Sequence, residues 1–330
     1  MNVAASAPGK IVVSGEYAVL VGAPALVAAV DRRTVCTLCD GTSGDWRFAT
    51  HGFAPDATHT LADLVARELP RGDPAYLCAQ VVRHLDVVGL SADDLPRHLF
   101  VDIDSRAGFA GGVKLGVGTS ASVCVAFAAA LAKLLGSAAD VFPLAYVAHR
   151  AAQGGRGSGL DVAAACRGGL VRYTTQPAPI ATRVVMPAVA FTAIATDAAA
   201  DTARQIASFD DWRRGGTPPA LRELIDASTR VANAVTDASM FVRELRAYAA
   251  ALRAFDDAAD LGIYSAAHRA LAELAERHGV VYKPCGAGGG DLGAAFALDR
   301  VALDAFSHAA RAEGFAPLSL ELDEHGFSVG

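Results

Sequence analysis

The stretch "GVKLGVGTSASVCVAFAAALAKLLG", residues 112–136, joins a glycine-containing loop to a long run of helix-compatible residues. Thr119 and Ser120 are good N-cap residues, and the residues that follow them to Leu135 are almost all apolar. A helix that is apolar on nearly every side is buried on every side. The sequence therefore predicts a central buried helix, around which the rest of a domain packs.

The loop before this helix has the features of an anion site. Gly116 and Gly118 allow the backbone to approach a ligand closely, and the first N–H groups of a helix are free and lie at the positive end of its dipole. The loop is not a Walker motif, and G-V-G-T-S-A lacks the third glycine of a dinucleotide fingerprint. Many helices begin with glycine and a hydroxyl residue without binding a ligand, so this segment alone is a weak indication.

Two other segments are also rich in glycine: "APGKIVVSGEYAVLVGAPAL" (7–26) and "KPCGAGGGDLGAAF" (283–296). The run Gly288–Gly290 suits neither a strand nor a helix, because glycine weakens both. Three of the four lysines (Lys10, Lys114 and Lys283) lie in or beside a glycine-containing segment. A flexible ammonium group beside bare backbone is a common way to hold a phosphate.

The remaining pattern interleaves strands and helices in both halves, which predicts an α+β protein. Strands are expected in the first 40 residues and at 98–105, 189–196 and 316–323, with a hairpin or loop at 41–60. The expected helices lie at 76–90, 140–152, 200–209, 219–233, 239–259, 262–278 and 300–313. A proline-rich stretch at 175–188 suggests a boundary between domains 1–182 and 183–330.

Composition limits the class of protein. The 330 residues are 52% hydrophobic and carry a formal net charge of −6, which argues against a surface that coats nucleic acid. No apolar run reaches the roughly 18 residues of a membrane helix, and the N-terminus lacks an export signal, so we expect a cytoplasmic protein. Six scattered cysteines include one C-x-x-C, Cys36 and Cys39, without the second pair that zinc needs; we expect free thiols.

Taken together and in this order, the three glycine segments resemble the motifs of the GHMP kinases, the superfamily named for galactose, homoserine, mevalonate and phosphomevalonate kinases. The first segment matches motif one through Pro8-Gly9-Lys10 and Gly15-Glu16-Tyr17-Ala18-Val19. The phosphate loop is matched by Gly116-Val117-Gly118-Thr119-Ser120-Ala121-Ser122, with Gly112 where the family has proline. Motif three is matched by Gly286-Ala287-Gly288-Gly289-Gly290. The resemblance covers residues 7 to about 298.

Details of these motifs are most similar to the phosphomevalonate kinase branch. Mevalonate kinases usually carry G-E-H-A-V in motif one, where this chain has Tyr17 in place of the histidine. "KLGVGTS", with Lys114, resembles K-Y-G-L-G-S-S of the branch, and "GAGGGDLG", with Asp291, resembles G-A-G-G-G-D-C-G. "GSGLDVAAACRGG" is similar to G-S-G-G-D-V-A-A-S-x-x-G-G. The resemblance implies a ribosomal-protein-S5-like N-terminal domain and a ferredoxin-like C-terminal domain.

The resemblance also implies an ATP-dependent kinase that uses Mg²⁺ and a small-molecule acceptor, as a monomer or homodimer. Asp161 matches the catalytic aspartate and Lys10 the lysine that faces it. Ser120 matches the serine that binds Mg²⁺. The residues expected to bind nucleotide are Lys114, Gly116, Gly118, Thr119, Ser120, Ala121 and Ser122. Those expected at the acceptor are Lys10, Glu16, Tyr17, Arg156, Ser158, Gly286, Ala287, Gly288 and Gly289. Side chains in motif three would occupy the space of the transferred phosphoryl group.

Some points stay open at the level of sequence. Several relatives supply a second Mg²⁺ ligand from a glutamate about 11 residues before the aspartate, where this chain has Arg150. Arg150, Arg156, Lys283 and Lys10 are unranked candidates for binding an acceptor phosphate. The expected reaction converts 5-phosphomevalonate into 5-diphosphomevalonate. The alternatives are a mevalonate kinase, another GHMP kinase with a different alcohol, or a related diphosphomevalonate decarboxylase.

Overall fold

The computed structural model describes residues 2–41, 44–51, 55–196, 202–290 and 292–330. The chain forms two compact units. The first contains Met1–Lys10, Ala29–Gly168 and Asp323–Gly330, and the second contains Ile11–Ala28 and Gly169–Leu322. Each unit is assembled from separate stretches of the chain, whereas the division at residue 182 assumed continuous ones. That division stays a prediction.

The first unit contains a mixed sheet. Its strands are β1 (Asn2–Ser14, of which residues 2–10 belong to this unit), β2 (Ala25–Asp40, residues 29–40), β3 (Trp46–His51), β4 (Ala57–His59), β5 (Leu99–Asp104) and β14 (Ser328–Val329). They lie in the order β14-β1-β2-β5-β3-β4, with β3 parallel to β5. β3 and β4 form an antiparallel pair, which confirms the hairpin expected at 41–60. β14 was not expected from the sequence.

Five α-helices and a short hairpin complete the described part of this unit. The helices are α1 (Leu61–Ala66), α2 (Tyr76–Arg83), α3 (Thr119–Leu134), α4 (Phe142–Ala152) and α5 (Leu160–Arg167), and the hairpin is β6 (Phe109–Ala110) with β7 (Val113–Lys114). α3 packs against α2, α4 and α5. Its side chains from Ala121 to Ala132 are buried, which confirms the expected central helix.

The described part of the second unit contains two groups of paired strands. Residues 25–28 of β2 pair with β8 (Leu170–Thr174), which also pairs with β9 (Ile180–Val184). A four-stranded antiparallel sheet has the order β11-β12-β10-β13, from β10 (Ala190–Ala195), β11 (Val281–Pro284), β12 (Leu292–Ala297) and β13 (Ala316–Leu318). The helices are α6 (Thr202–Trp212), α7 (Pro219–Asn233), α8 (Ala238–Ala259), α9 (Ala266–Arg277) and α10 (Arg300–Ala312).

Several predicted elements differ in length from those observed. The helix expected at 76–90 ends at Arg83 and is followed by a 3₁₀ turn at Leu85–Val88. His84 explains the break, because its Nδ1 lies 2.7 Å from the carbonyl oxygen of Gln80, the acceptor that an α-helix reserves for the His84 N–H. The strand expected at 316–323 ends at Leu318. The stretch expected to be a boundary contains β9.

Candidate active site

The N-terminus of α3 is preorganised for an anion. Gly116 and Gly118 have φ values of 73° and 78°, a left-handed conformation that glycine adopts without a steric penalty. Gly118, rather than Thr119 or Ser120, is the N-cap residue, and no side chain caps the helix. The first N–H groups of a long helix are thus left for a ligand, at the positive end of the helix dipole. This geometry suits the phosphates of a nucleotide.

Lys10 lies across this loop. Its backbone N–H donates to the carbonyl oxygen of Val117 at 2.7 Å, and its Nζ donates to that of Gly116 at 3.2 Å. A Cβ atom on Gly118 would lie 2.9 Å from Cγ of Lys10, so the lysine needs the bare backbone there. The structure thus brings an ammonium group to the phosphate loop. Within the described residues it forms no ion pair with Asp161, the residue that it was expected to face.

Ser120 and Asp161 are linked by a histidine that the sequence analysis missed. His149 is 1% exposed, on α4, and its Nε2 lies 3.0 Å from Oγ of Ser120. Its Nδ1 lies 3.6 Å from Oδ1 of Asp161. Asp161 is in the first turn of α5, where Oδ1 also accepts the Val162 N–H at 2.9 Å. The structure therefore places Ser120 and Asp161 on either side of one buried imidazole.

A sequence signal for His149 existed but was weak. It is the polar residue in the otherwise apolar part "PLAYVAH" of α4, twelve positions before Asp161 (161 minus 149). Arg150, at the position where relatives carry a glutamate, donates instead to Oη of Tyr146 at 2.9 Å and to the carbonyl oxygen of Gly155 at 2.5 Å. A buried histidine is more often a hydrogen-bonded core residue than part of a site, and only packing of α4 against α3 shows the difference.

The other residues expected to bind nucleotide have different surroundings. Thr119 is buried, and its Oγ1 has no hydrogen-bond partner. Ser122 is fully buried, with its Oγ 2.8 Å from Oγ1 of Thr34 and 2.9 Å from the carbonyl oxygen of Thr119. Its hydroxyl, like the side chain of Ala121, therefore does not reach the surface of the loop. Lys114 is exposed on β7.

Two residues expected at the acceptor lie just before α5 in the same unit. Arg156 is exposed, and Ser158 is half-buried. Oγ of Ser158 accepts the Leu160 N–H at 3.4 Å, next to the N-cap residue Gly159. Their binding roles stay predictions.

In the second unit, Glu16 belongs to a closed network of hydrogen bonds. Its Oε1 accepts from Nζ of Lys283 at 2.5 Å and its Oε2 from Oη of Tyr248 at 2.6 Å. Lys283 also donates to the carbonyl oxygens of Val12 and Pro284 at 3.0 and 2.9 Å. Glu16 and Lys283 are 3% and 0% exposed. All three ammonium hydrogens have acceptors, so this pair holds motif one to β11 and is not free to bind a phosphate.

Tyr248 completes this network. Its hydroxyl accepts the Gly15 N–H at 2.9 Å while it donates to Glu16. Burial, followed by the charge of Glu16, holds the pKa of Tyr248 well above its ordinary value, so the hydroxyl keeps its proton. A Cβ on Gly15 would lie 2.3 Å from Cβ of Ala25, and only glycine fits this turn.

Tyr17 is also held from several sides. It has a φ of 60°, a conformation that non-glycine residues rarely adopt. Its hydroxyl donates to the carbonyl oxygen of Ala287 at 2.7 Å, and its ring packs against Phe209 and Phe255. Burial raises its pKa. Tyr17 therefore connects the second part of motif one, residues 15–19, to motif three, and both of these segments lie in this unit.

Glycine is required in motif three for a different reason from the one expected. A Cβ on Gly288 would lie 2.8 Å from the backbone of Ile263, and one on Gly289 would lie 2.8 Å from Nε2 of Gln205. The Gly289 N–H also donates to the carbonyl oxygen of Ile263 at 2.8 Å. The prediction that side chains there would fill the space of a phosphoryl group was wrong for these two positions, since they face the protein. Gly286 faces open space at a φ of 71°.

Asp291, which the resemblance also highlighted, lies outside the described residues. Within the described ranges, no group of three His, Cys, Asp or Glu side chains could hold a metal ion by itself. A magnesium ion would fit the oxygens at the α3 N-terminus nonetheless, because Mg²⁺ is usually bound by one or two protein oxygens together with substrate phosphates and water. Oγ of Ser120 is such an oxygen, and Oγ1 of Thr119, the preceding residue, has no hydrogen-bond partner.

Comparison with known proteins identifies relatives of this chain. Residues 97–169, which include the α3 N-terminus, match the family model described as the GHMP kinases N terminal domain. A phosphomevalonate kinase from Streptomyces sp. (strain CL190) is 30% identical over 92% of this chain and 91% of its own length. A mevalonate kinase from Thermococcus onnurineus is 30% identical over 52% of this chain and 52% of its own length.

The fold has close structural relatives as well. The structure of Streptococcus pneumoniae phosphomevalonate kinase in complex with phosphomevalonate and AMPPNP has a TM-score of 0.77, with 21% identity, over 97% of this chain and 99% of that one. The protein is thus an ATP-dependent small-molecule kinase with the two-domain fold expected. It belongs to the GHMP kinase family. Among the helices of the described residues, none is long and apolar enough to cross a membrane.

Proposed function

We propose that this kinase transfers the γ-phosphoryl group of ATP to 5-phosphomevalonate and forms 5-diphosphomevalonate. The observation that carries the proposal is the extent of the similarity. The phosphomevalonate kinase relative aligns over 92% of the chain, whereas the mevalonate kinase relative aligns over 52%. The residues expected at the acceptor come from both halves of the sequence, so similarity over nearly the whole chain supports an acceptor preference better than similarity over half.

In the proposed reaction, the N-terminus of α3 binds the β- and γ-phosphates of ATP. Its free N–H groups and dipole supply fixed positive potential, which costs no reorganisation during transfer. Lys10, held over Gly116 and Val117, adds a full positive charge beside these phosphates. Phosphoryl transfer depends mainly on this kind of positioning and charge neutralisation.

Ser120 is proposed to bind Mg²⁺ through Oγ, with nucleotide oxygens and water as further ligands. A bound Mg²⁺ neutralises charge on the phosphates. Among the described residues, Asp161 is the carboxylate linked to Ser120 through His149. We propose that Asp161 orients the acceptor oxygen. An acceptor phosphate is largely deprotonated near pH 7, because its second pKa is about 6, so orientation matters more than proton removal.

None of the six cysteines, all of which are among the described residues, forms a disulfide, which supports the proposal of a reducing, cytoplasmic location. The pathway that the acceptor implies is isoprenoid biosynthesis through mevalonate.

The test is a panel of acceptors with the purified chain, ATP and Mg²⁺: mevalonate, 5-phosphomevalonate, galactose and diphosphomevalonate. Formation of ADP is followed by a coupled assay, and the product by ³¹P NMR. We expect turnover only with 5-phosphomevalonate, together with two coupled diphosphate signals. The Asp161→Asn protein, prepared in parallel, controls for a contaminating kinase.

The second candidate is a mevalonate kinase, which the relatives that share half of the chain favour. Turnover with mevalonate alone, giving one phosphomonoester signal, would replace the proposal with this candidate. Release of CO₂ from diphosphomevalonate would instead indicate the related decarboxylase.

A further inference from the structure

His149 is a polar side chain in an apolar place, and both of its ring nitrogens face functional groups. The residue is 1% exposed. Nε2 lies 3.0 Å from Oγ of Ser120, and Nδ1, which has no hydrogen-bond partner, lies 3.6 Å from Oδ1 of Asp161. A buried nitrogen without a partner is costly unless another group approaches it.

We propose that His149 is a positioning residue, which holds the hydroxyl of Ser120 and the carboxylate of Asp161 in a fixed relation during phosphoryl transfer. The proposal rests on the proposed function for the roles of those two residues. It explains why a buried nitrogen points at Asp161. A closure of roughly 0.4 Å would bring the pair within an ordinary hydrogen-bond distance, and such bonds at active sites are often long before substrate binds.

The charge of Asp161 determines which nitrogen carries the proton. A neutral imidazole has one N–H and one lone pair. With the proton on Nδ1, the N–H points to the carboxylate and is attracted to it. With the proton on Nε2, two lone pairs would face each other across 3.6 Å, which is repulsive. His149 therefore takes the Nδ1–H form.

This tautomer orients Ser120. The lone pair on Nε2 accepts the hydroxyl hydrogen of Ser120, so the lone pairs of Oγ are directed away from the histidine. An oxygen in that orientation is a better ligand for a cation than one whose lone pair is used to accept a hydrogen bond. Asp161 thus acts on Ser120 through the imidazole, in addition to its own contact with the acceptor.

The neighbouring Arg150 does not have this positioning role. Its guanidinium group lies over the ring of Tyr146 and donates to that residue and to Gly155. Of the two adjacent polar residues on α4, the geometry selects His149.

His149→Phe is the principal variant, because it keeps a ring of similar size and removes both nitrogens. We expect kcat to fall about 10- to 100-fold while KM for ATP changes less than about threefold, the pattern of a lost transition-state interaction. His59→Phe is the matched control. His59 also pairs with a carboxylate, Asp73, at 3.0 Å in the same unit, and it contacts neither Ser120 nor Asp161. A purely structural role for His149 would lower stability as the control does and leave kcat per folded protein unchanged.

A second readout needs no activity. The ring ¹⁵N signals of His149 in the ligand-free protein, assigned by their loss in His149→Phe, report the tautomer. The spectra are recorded at about pH 8. We expect the Nδ1–H form in the wild type, and more of the Nε2–H form in Asp161→Asn. Should Nε2–H predominate in the wild type, or should Asp161→Asn leave the signals unchanged, the proposal is overturned.

The two readouts separate this inference from the proposed function. Absence of turnover with every acceptor refutes the proposed function, and the ¹⁵N result still decides whether Asp161 controls the imidazole. If the wild type turns over 5-phosphomevalonate and His149→Phe keeps kcat within about twofold, the positioning role is refuted even though the kinase assignment holds.

Discussion

Asp161 carries the most specific chemical expectation at the scale of single residues. It lies in the first turn of α5 with its side chain 18% exposed, close to both solvent and His149. A first-turn acid can serve merely to complement the helix dipole, an effect of a few tenths of a kcal/mol. The loss of a residue that orients the acceptor has a much larger effect, so a conservative substitution distinguishes these two roles.

We predict that Asp161→Asn lowers kcat about 100-fold or more and leaves the dissociation constant of an ATP analogue within about threefold. The amide keeps the shape and loses the charge that we propose orients the acceptor and the imidazole. Steady-state kinetics and calorimetry measure the two quantities. Asp104→Asn, which changes a half-buried carboxylate paired with Arg106 in the same unit, is the control. An unchanged rate in Asp161→Asn would remove that residue from the mechanism.

His268 gives the clearest pH dependence. It is fully buried on α9, with Nδ1 2.8 Å from Oη of Tyr282 and Nε2 3.3 Å from the carbonyl oxygen of Gly290. Burial, opposed by the bond to Gly290 and aided by the charge of Lys283, lowers the pKa of His268 from 6.5 to about 4. The unfolded chain therefore binds a proton that the folded unit excludes between these two values.

The stabilising effect is complete above pH 6.5 and is lost as the pH falls toward 4, by on the order of 3 kcal/mol. Free energies of unfolding from urea titrations at several pH values measure this loss. Many carboxylates contribute to the same curve, so the quantity compared is the difference between wild type and His268→Gln. We expect the variant to lose less stability over this range. The exposed His308→Gln should follow the wild type, and a His268→Gln curve parallel to both would refute the prediction.

At the scale of elements, the start of α3 depends on two left-handed glycines and the lysine packed on them. An alanine at Gly118 meets both a conformational penalty of about 1 kcal/mol and a collision with Lys10. Gly136, after the end of the same helix, has a φ of 66° and open space around its Cβ position. Alanine substitutions at the two glycines therefore distinguish the effect of the collision with Lys10 from the effect of backbone strain.

We predict that Gly118→Ala weakens ATP binding at least about tenfold, because Lys10 must leave the phosphate loop, whereas Gly136→Ala only lowers stability by about 1 kcal/mol. Calorimetric titration with an ATP analogue and urea unfolding measure the two effects. Equal ATP affinity in the two variants would show that Lys10 does not need this contact.

The buried pair of Glu16 and Lys283 joins the turn after β1 to β11 in the second unit. We predict that Lys283→Met lowers the free energy of unfolding by about 3–5 kcal/mol, since it leaves Glu16 charged, buried and without its cation. Lys133→Met, on the exposed side of α3, should change it by less than about 0.5 kcal/mol. The double variant Glu16→Gln with Lys283→Met should recover part of the loss. A single variant as stable as the wild type would contradict the network described here.

How much of the structure could be predicted from the sequence also depends on scale. The helices at α3, α7, α8 and α10 were predicted within a residue or two of their bounds, because their periodicity and capping are local properties. His149 was missed, since its contact with Ser120 depends on how α4 packs against α3. The ion pair of Glu16 and Lys283 was also missed, because no local pattern shows that two residues 267 positions apart pair in the interior.

At the scale of the whole molecule, the last eight residues belong to the first unit (323–330). β14 pairs with β1, and Arg33 forms an ion pair with Asp323 and donates to the carbonyl oxygen of Gly326 at 2.8 Å. The C-terminal residues join the first unit through long-range pairing, which the composition around residue 182 could not reveal. Each unit can fold fully only after distant segments have met.

The six cysteines, which are distributed over both units, report on the packing of the whole chain. All six are described residues and none forms a disulfide, as expected; Cys39 is half-buried while the other five are buried. Burial raises the pKa of Cys36, Cys78, Cys124 and Cys166. A reagent in solution therefore cannot reach these thiols, and they are not in the reactive thiolate form.

We therefore predict that a thiol reagent such as dithionitrobenzoate modifies one cysteine rapidly in the native protein and six after denaturation. Cys39→Ser should abolish the rapid phase. The slow phase should follow opening of the fold, and an ATP analogue should slow it for Cys124, on the helix proposed to bind phosphate, by mass action on the folded state. Rapid reaction of two or more native thiols would mean that the core described here is open.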